Sequence, residues 1–190
     1  NSSRILDSGA GAGLLTLKLL EDGKEVYAVD ESQEGLTRLT QVAGDHSNRL
    51  HTQTLDAHNL PYSNEFFDGV SSMLVVHFLE DPIRYLQEHA RVLSPRGRLV
   101  VSGPSDGARD KKYIVGRWVG ELKASGKLPE LRGDLQVLKE SMSQFKGQVH
   151  NFYDGSELAR IIERETPLKV DDVKPNPLYD GRGYIITATK

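Results

Sequence analysis

The sequence predicts an α/β fold: a doubly wound sheet of about seven strands, mostly parallel, with helices on both faces. Three observations predict it. Short apolar segments of strand type alternate with helical patterns along the chain. The first segment, Arg4-Ile5-Leu6-Asp7, breaks into Ser8-Gly9-Ala10-Gly11-Ala12-Gly13 and runs straight into an apolar helix. The second, Glu25 to Val29, ends in a carboxylate, Asp30, about 20 residues after the first glycine.

Glycines alternating with small residues let backbone N–H groups approach a ligand closely, because no Cβ stands in the way. Leu14, Leu15, Leu17, Leu19 and Leu20 then make a helix apolar enough to pack on a sheet, with its N-terminus aimed at the same place. Asp30 stands where a carboxylate can accept both hydroxyls of a ribose, so a nucleoside-containing ligand is expected. A dinucleotide fingerprint requires G-x-G-x-x-G, and here Leu14 occupies the place of the third glycine. Asp7 argues the same way: its charge would repel a pyrophosphate and could hold an ammonium or, through water, a polar amino-acid tail. The plainer alternative makes Asp7 a turn-former capping the loop. There is no G-K-[ST], so the chain lacks the phosphate loop of an NTPase.

Further along, Ser32 is placed to cap a helix carrying Leu36, Leu39 and Val42, and Leu50 to Leu55 reads as the third strand. A turn-rich link from Leu60 to Asp68 leads into a fourth strand from Gly69 to about Leu74. Asp81-Pro82 is an N-cap followed by proline at the first helical position, opening a helix to Leu93 with Ile83, Leu86, Ala90 and Leu93 at core spacing. Pro95-Arg96-Gly97 turns the chain into the fifth strand, Leu99 to Ser102. The stretch 104–151 is too long for a plain loop. Within it Ile114, Trp118 and Leu122 form one helical stripe, and Leu131, Leu135, Leu138, Met142 and Phe145 a second. Two inserted helices over the ligand edge of the sheet are expected. Asp154 with Glu157 then predicts a capping box before Leu158, Ile161 and Ile162. Leu168 to Val173 and Tyr184 to Thr189 close the chain as two strands joined by a turn-rich connection.

Composition bounds the function. At 190 residues the chain is one domain, 1–190, able to bury a real core. A formal charge of −3 with interspersed signs speaks against a nucleic-acid surface. With no cysteine, disulfides, thiolate nucleophiles and cysteine metal sites are impossible, and a reducing cytoplasm is permitted. No run approaches the 18 or so apolar residues of a membrane span, and the polar start Asn1-Ser2-Ser3 is unlike a signal peptide. No metal site is expected.

Asp7-Ser8-Gly9-Ala10-Gly11-Ala12-Gly13 with Asp30 resembles the first two motifs of the class I S-adenosylmethionine-dependent methyltransferases. The series continues through Leu55-Asp56-Ala57-His58-Asn59-Leu60-Pro61-Tyr62, Phe66-Phe67-Asp68-Gly69-Val70 and Arg91-Val92-Leu93-Ser94-Pro95-Arg96-Gly97-Arg98-Leu99. It is similar to the small-molecule group that includes the ubiquinone and menaquinone biosynthesis enzymes. The resemblance implies a Rossmann-like sheet with its last strand antiparallel, S-adenosylmethionine as cofactor and S-adenosylhomocysteine as product. The implied cofactor residues are Asp7 for the amino-acid moiety, Gly9, Ala10, Gly11 and Gly13 for close approach, Asp30 and Glu31 at the ribose, Asp56 and Ala57 at the adenine, and Met73 beside the methyl donor. Asp56 could equally be a loop aspartate bonded to its own backbone. His77 is a candidate general base, its alternative being a structural histidine packed near the next helix. Tyr113, Trp118 and Phe145 are candidates for an apolar acceptor site or for ordinary core, and Lys111, Lys112 and Arg117 for an anionic acceptor or a solvated helix face. An Asn/Asp-Pro-Pro-Tyr/Phe tetrapeptide after the fourth strand is absent, which argues against an adenine or glutamine amino group as acceptor. Arg96 departs from the family pattern, which prefers glycine there. Family members also carry a helix before the first strand, whereas here that strand starts at Arg4. Two other readings rank below methyl transfer: a catalytically inactive cofactor-binding or interaction module, and an NAD-dependent oxidoreductase, which Leu14 and Asp7 disfavour.

Overall fold

A computed structural model describes residues 3–105, 151–179 and 181–190. In chain order the elements are β1 (Arg4–Ser8), α1 (Leu14–Glu21), β2 (Glu25–Asp30), α2 (Gln33–Val42), β3 (Leu50–Thr54), β4 (Phe67–Met73), α3 (Pro82–Val92), β5 (Leu93–Pro104), α4 (Gly155–Glu165), β6 (Lys169–Pro175) and β7 (Gly183–Thr189). The strands form one sheet in the order β3-β2-β1-β4-β5-β7-β6. The first five are parallel, and β7 runs antiparallel to both of its neighbours.

Alternation along β2 shows how both faces are filled. Val26 and Ala28 are fully buried on one side with Leu20 of α1 and Leu36 and Leu39 of α2. Val29 joins the larger core on the other side, with Leu86 of α3 and Leu158 and Ile162 of α4. The expected caps are formed. Ser32 Oγ accepts from Gly35 N–H at 3.2 Å, Asp81 Oδ1 from Arg84 N–H at 3.0 Å with Pro82 opening the helix, and Asp154 Oδ1 from Ser156 N–H at 2.6 Å.

Three local differences from the sequence expectation have physical causes. Leu14 is 89% exposed and does not pack on the sheet, because it is the first residue of α1 and stands on the rim beside the glycine turn. β4 starts at Phe67, since Phe67 pairs with Leu93 across an irregularity before Gly69 pairs with Arg98. That offset is the Pro95-Arg96-Gly97 turn, which interrupts β5 rather than preceding it. Arg96 adopts a left-handed φ of 65°, the conformation for which glycine is preferred. The turn is closed instead by the last residue, Lys190, whose C=O accepts from Arg96 N–H at 2.9 Å and whose N–H donates to Gly97 C=O at 3.1 Å. Lys190 Nζ also donates to the C=O groups of Ala90 and Leu93, at 2.9 and 2.8 Å, at the end of α3.

Candidate functional site

Because β1 to β5 are parallel and in register, their carboxyl ends share one edge. Asp7 and Ser8 of β1 lie beside Ser71 and Ser72 of β4, Asp30 beside Thr54, and Met73 beside Ser102. The sequence-predicted residues from Asp7 through Met73 are gathered along that edge, with the turn between β1 and α1 at its centre, the position of ligand sites in open α/β sheets.

The turn is built from left-handed glycines: φ is 76° at Gly9, 53° at Gly11 and 86° at Gly13. Two are also places where a side chain has no room. A Cβ on Gly9 would sit 2.2 Å from Val75 Cγ2, and one on Gly13 2.2 Å from Leu39 Cδ1. At Gly11 a Cβ would meet nothing within 4 Å among the described residues. Gly11 therefore borders space that no described side chain fills.

Four backbone donors of the turn are bonded inside the protein. Gly9 and Ala10 N–H both donate to Val29 C=O, at 2.8 and 3.1 Å, and Gly13 N–H donates to Ala10 C=O at 2.9 Å. Gly11 N–H donates to Asp30 Oδ2 at 2.8 Å, while Asp30 Oδ1 accepts from Ser32 N–H at 2.8 Å. Each Asp30 oxygen keeps a second lone pair for an outside donor. The turn thus offers a ligand its shape and a hydrogen-bond-accepting carboxylate. Glu31, next to it, is exposed.

Asp7 lies beneath the turn at the end of β1. It is 2% exposed, and its oxygens accept from Thr16 Oγ1 at 2.6 Å and Ser71 Oγ at 3.0 Å. Burial, the largest influence, pushes its pKa up, against the hydroxyl hydrogen bonds that pull it down. On the opposite face of the same strand pair, Tyr85 Oη donates to Ser8 Oγ at 2.9 Å and lies 2.9 Å from Ser72 Oγ. Burial raises the Tyr85 pKa to about 12, so the phenol stays a neutral donor. Polar pairs thus bind β1 to β4 from both faces beneath the turn. The signals for this were a lone Thr16 inside a leucine-rich helix and the Ser71-Ser72 pair inside an apolar strand.

At the end of β3, Asp56 Oδ1 accepts from His58 N–H at 2.9 Å and lies 2.6 Å from His58 Nδ1. Those bonds, the backbone one first, lower its pKa. The loop aspartate bonded to its own backbone is therefore present, and Asp56 remains exposed at the edge with Ala57 half-buried beside it. His58, which sequence reasoning passed over, orients Asp56 while its Nε2 lies 3.0 Å from Asp81 C=O. Met73 Sδ accepts from Ser102 Oγ at 3.2 Å. Leu74 follows with a left-handed φ of 64° and donates its N–H to Ser102 C=O at 2.8 Å, which turns the chain so that Val75 fills the space against Gly9. His77 is 7% exposed, in the turn that follows the carboxyl end of β4, its ring 4.0 Å from that of Phe78. Lys111, Lys112, Tyr113, Arg117, Trp118 and Phe145 lie outside the described residues. Among the described residues there is no cluster able to hold a metal ion, and no helix long and apolar enough to cross a membrane.

The sequence family described as "Methyltransferase domain" matches residues 6–101 of the chain. The chain is 35% identical over 105 residues to the biotin biosynthesis bifunctional protein BioHC of Cellvibrio japonicus, covering 53% of this chain and 19% of that protein. It is 36% identical over 100 residues to the demethylmenaquinone methyltransferase of Clavibacter sepedonicus, covering 52% of this chain and 40% of that one. The chain therefore spans less than half the length of these relatives. Among solved structures, the Burkholderia thailandensis 1,6-didemethyltoxoflavin-N1-methyltransferase, with bound 1,6-didemethyltoxoflavin and S-adenosylhomocysteine, superposes with a TM-score of 0.68 at 20% identity, covering 100% of this chain and 72% of that one. That likeness is one of fold.

Proposed function

The chain belongs to the methyltransferase domain family, and from that premise we propose that it binds S-adenosylmethionine along the carboxyl edge of β1 to β4 and transfers its methyl group to a small molecule. The observation that carries this reading is the glycine turn. Four of its N–H groups are satisfied internally, while the space at Gly11 is open and Asp30 has acceptor capacity to spare. Such a turn suits an uncharged ribose and a close-lying ligand backbone. Leu14, in the place of the third dinucleotide glycine, disfavours NAD.

When bound, S-adenosylmethionine supplies an electrophilic sulfonium methyl, taken by an acceptor oxygen, nitrogen or carbon in line with the departing sulfur, leaving S-adenosylhomocysteine. The chain's own residues hold and orient. Gly9, Ala10, Gly11 and Gly13 shape the floor, Asp30 accepts the ribose hydroxyls with Glu31 beside it, Asp56 and Ala57 meet the adenine, and Met73 borders the methyl donor. In this reading the buried His77 supports the segment after β4 rather than removing a proton, and catalysis rests on positioning of an acceptor that is already nucleophilic. The insertion 104–151 would supply the acceptor pocket, with Tyr113 and Trp118 in it. A relative named for demethylmenaquinone supports a small-molecule acceptor, and the cysteine-free sequence suits a reducing cytoplasm.

Calorimetric titration of S-adenosylmethionine, S-adenosylhomocysteine and NAD tests the cofactor, followed by methyl transfer to a panel of phenols, quinols and heterocyclic amines. Binding of both adenosyl compounds and transfer to a panel member is expected. Binding without transfer to any acceptor favours the inactive-module reading, and binding of NAD alone overturns the proposal.

A further inference from the structure

The sheet ends in two strands, β3 and β6, and the chain treats these edges differently. The β6 edge is guarded. Lys169, Asp171, Asp172 and Lys174 are exposed along it, its pairing with β7 shifts register between Val170 and Asp172, and it ends in Pro175. Charges, a broken register and a proline blunt an edge against pairing with another chain. β3 has none of them. Its residues Leu50-His51-Thr52-Gln53-Thr54 run in unbroken register against β2, and the last four are exposed. An open groove beside the strand is lined by Gln33, Leu36, Thr37, Thr40 and Gln41 of α2 and by Thr52. On the other face His51 stacks on Tyr27, with its Nε2 3.0 Å from Glu25 Oε1. Neither the strand nor the groove holds an Asp, Glu, Lys or Arg, although those types make up 27% of the chain. Depletion of charge distinguishes the centre of a protein interface from ordinary surface.

The strand is also complementary to itself. Leu55 N–H donates to Asp30 C=O at 3.2 Å, and successive strand residues turn their N–H and C=O groups to opposite sides. His51 and Gln53 therefore bond to β2, while Leu50, Thr52 and Thr54 direct their groups to the free side. Of these, Leu50 N–H is taken by Ser47 C=O. We propose that the β3 edge pairs with the β3 edge of a second copy of this chain, antiparallel about a twofold axis at Thr52, joining two sheets into one. Thr52 then exchanges both of its main-chain groups with the partner's Thr52, and on each side of the axis a Leu50 C=O accepts from a Thr54 N–H. The symmetry names the occupant, because a second copy presents the same outward groups in reverse order. Side chains agree with it: Thr52 meets Thr52, Leu50 meets Thr54 and His51 meets Gln53, so no like charges are opposed. The carboxyl edges of the two sheets face opposite ways. This pairing does not depend on the cofactor reading.

The test is the mass of the whole chain in solution, by sedimentation velocity and light scattering, over about 1 to 100 µM, since association follows mass action. Twice the 21.1 kDa of one chain is expected toward the upper end. Thr52→Pro removes only an N–H that faces the free side, where an edge strand tolerates proline, so it should fold, as read by circular dichroism, and stay monomeric. Thr52→Lys and Thr52→Asp each set like charges against each other at the axis. Each should be monomeric alone, and an equal mixture of the two should recover the dimer. In the wild type, amide exchange at Thr52 and Thr54 should slow as concentration rises, while exchange at Gln53, bonded to β2, should not. A wild type that stays at 21.1 kDa throughout, or a folded Thr52→Pro chain that dimerises like wild type, overturns the pairing. Folded Lys and Asp variants that dimerise alone, or do not recover when mixed, also overturn it. Exchange at Thr52 that ignores concentration overturns it whatever the variants do.

Discussion

Replacing glycines one at a time separates what the turn does for the fold from what it does for a ligand. Gly11→Ala places a methyl group where nothing lies within 4 Å, at a φ of 53°. Its cost to the fold is only that of a left-handed alanine, roughly 1 to 2 kcal/mol, which lowers Tm by about 2 to 8 °C in a chain of this size. Gly13→Ala has the same backbone cost at a φ of 86°, and its Cβ would also stand 2.2 Å from Leu39 Cδ1 and 2.9 Å from Leu39 Cγ. Leu39 is fully buried and cannot swing away without disturbing α2, so overpacking adds about 1 to 3 kcal/mol. The two variants should therefore diverge. Gly11→Ala melts close to wild type yet binds S-adenosylhomocysteine at least about tenfold more weakly, a loss of about 1.4 kcal/mol, because the methyl occupies the space left for the ligand. Gly13→Ala shows its main defect in Tm. Differential scanning calorimetry and ligand titration on the same samples read both effects. Wild-type affinity in Gly11→Ala, or equal destabilisation of the two variants, would refute the assignment of that open space to the cofactor.

Other expectations follow from the same structure. His89 is fully buried, its Nδ1 2.6 Å from Tyr85 C=O, and burial holds its pKa down to about 4 against an ordinary 6.5. Because the folded value is the lower one, its contribution is complete above about pH 6.5 and is lost as pH falls toward 4, about 3 kcal/mol in all. Urea unfolding of His89→Leu should lose that acid slope while matching or exceeding wild type at low pH. Arg91 donates to Leu60 C=O, Tyr62 C=O and both Glu88 oxygens, at 2.7 to 3.0 Å, fastening the link before β4 to α3. Arg91→Ala should cost about 2 kcal/mol in chemical denaturation, with hydrogen exchange quickening around Leu60. Asp30→Ala should weaken S-adenosylmethionine by about 1 to 3 kcal/mol in calorimetry. Asp154→Ala removes the cap of α4 and should lower stability by about 1 kcal/mol without changing ligand affinity.

Most of the fold was legible because local chemistry and global topology agree. Ser32, Asp81-Pro82 and Asp154 announce helix starts that the structure forms with the expected bonds, and the alternation Val26, Ala28 against Tyr27, Val29 announces a strand buried on two faces. Arg96 was legible as a departure, though its left-handed backbone depends on Lys190, whose position in sequence says nothing of its place in space. The site was legible as a set of positions along one edge and not as a set of bonds. The glycine pattern marks where a backbone comes close, while the acceptors that take up its N–H groups, Val29 C=O and the Asp30 carboxylate, lie on another strand. Asp7 reads as a ligand contact from its place in the motif. Only the folding of α1 and β4 against β1 brings Thr16 and Ser71 to it and closes it off. The Tyr85 bridge between Ser8 and Ser72 joins residues up to 77 apart in sequence, so the Ser71-Ser72 pair marks one end of it without naming the partner.

The central claim is that Asp30 and the glycine turn hold the adenosyl cofactor, and a crystal structure of the chain grown with S-adenosylhomocysteine tests it most directly. The account predicts the ribose hydroxyls on Asp30, the ligand over Gly11, and Asp7 still buried on Thr16 and Ser71 with no direct contact. A ligand seated elsewhere, or a ribose that leaves Asp30 untouched, would contradict it.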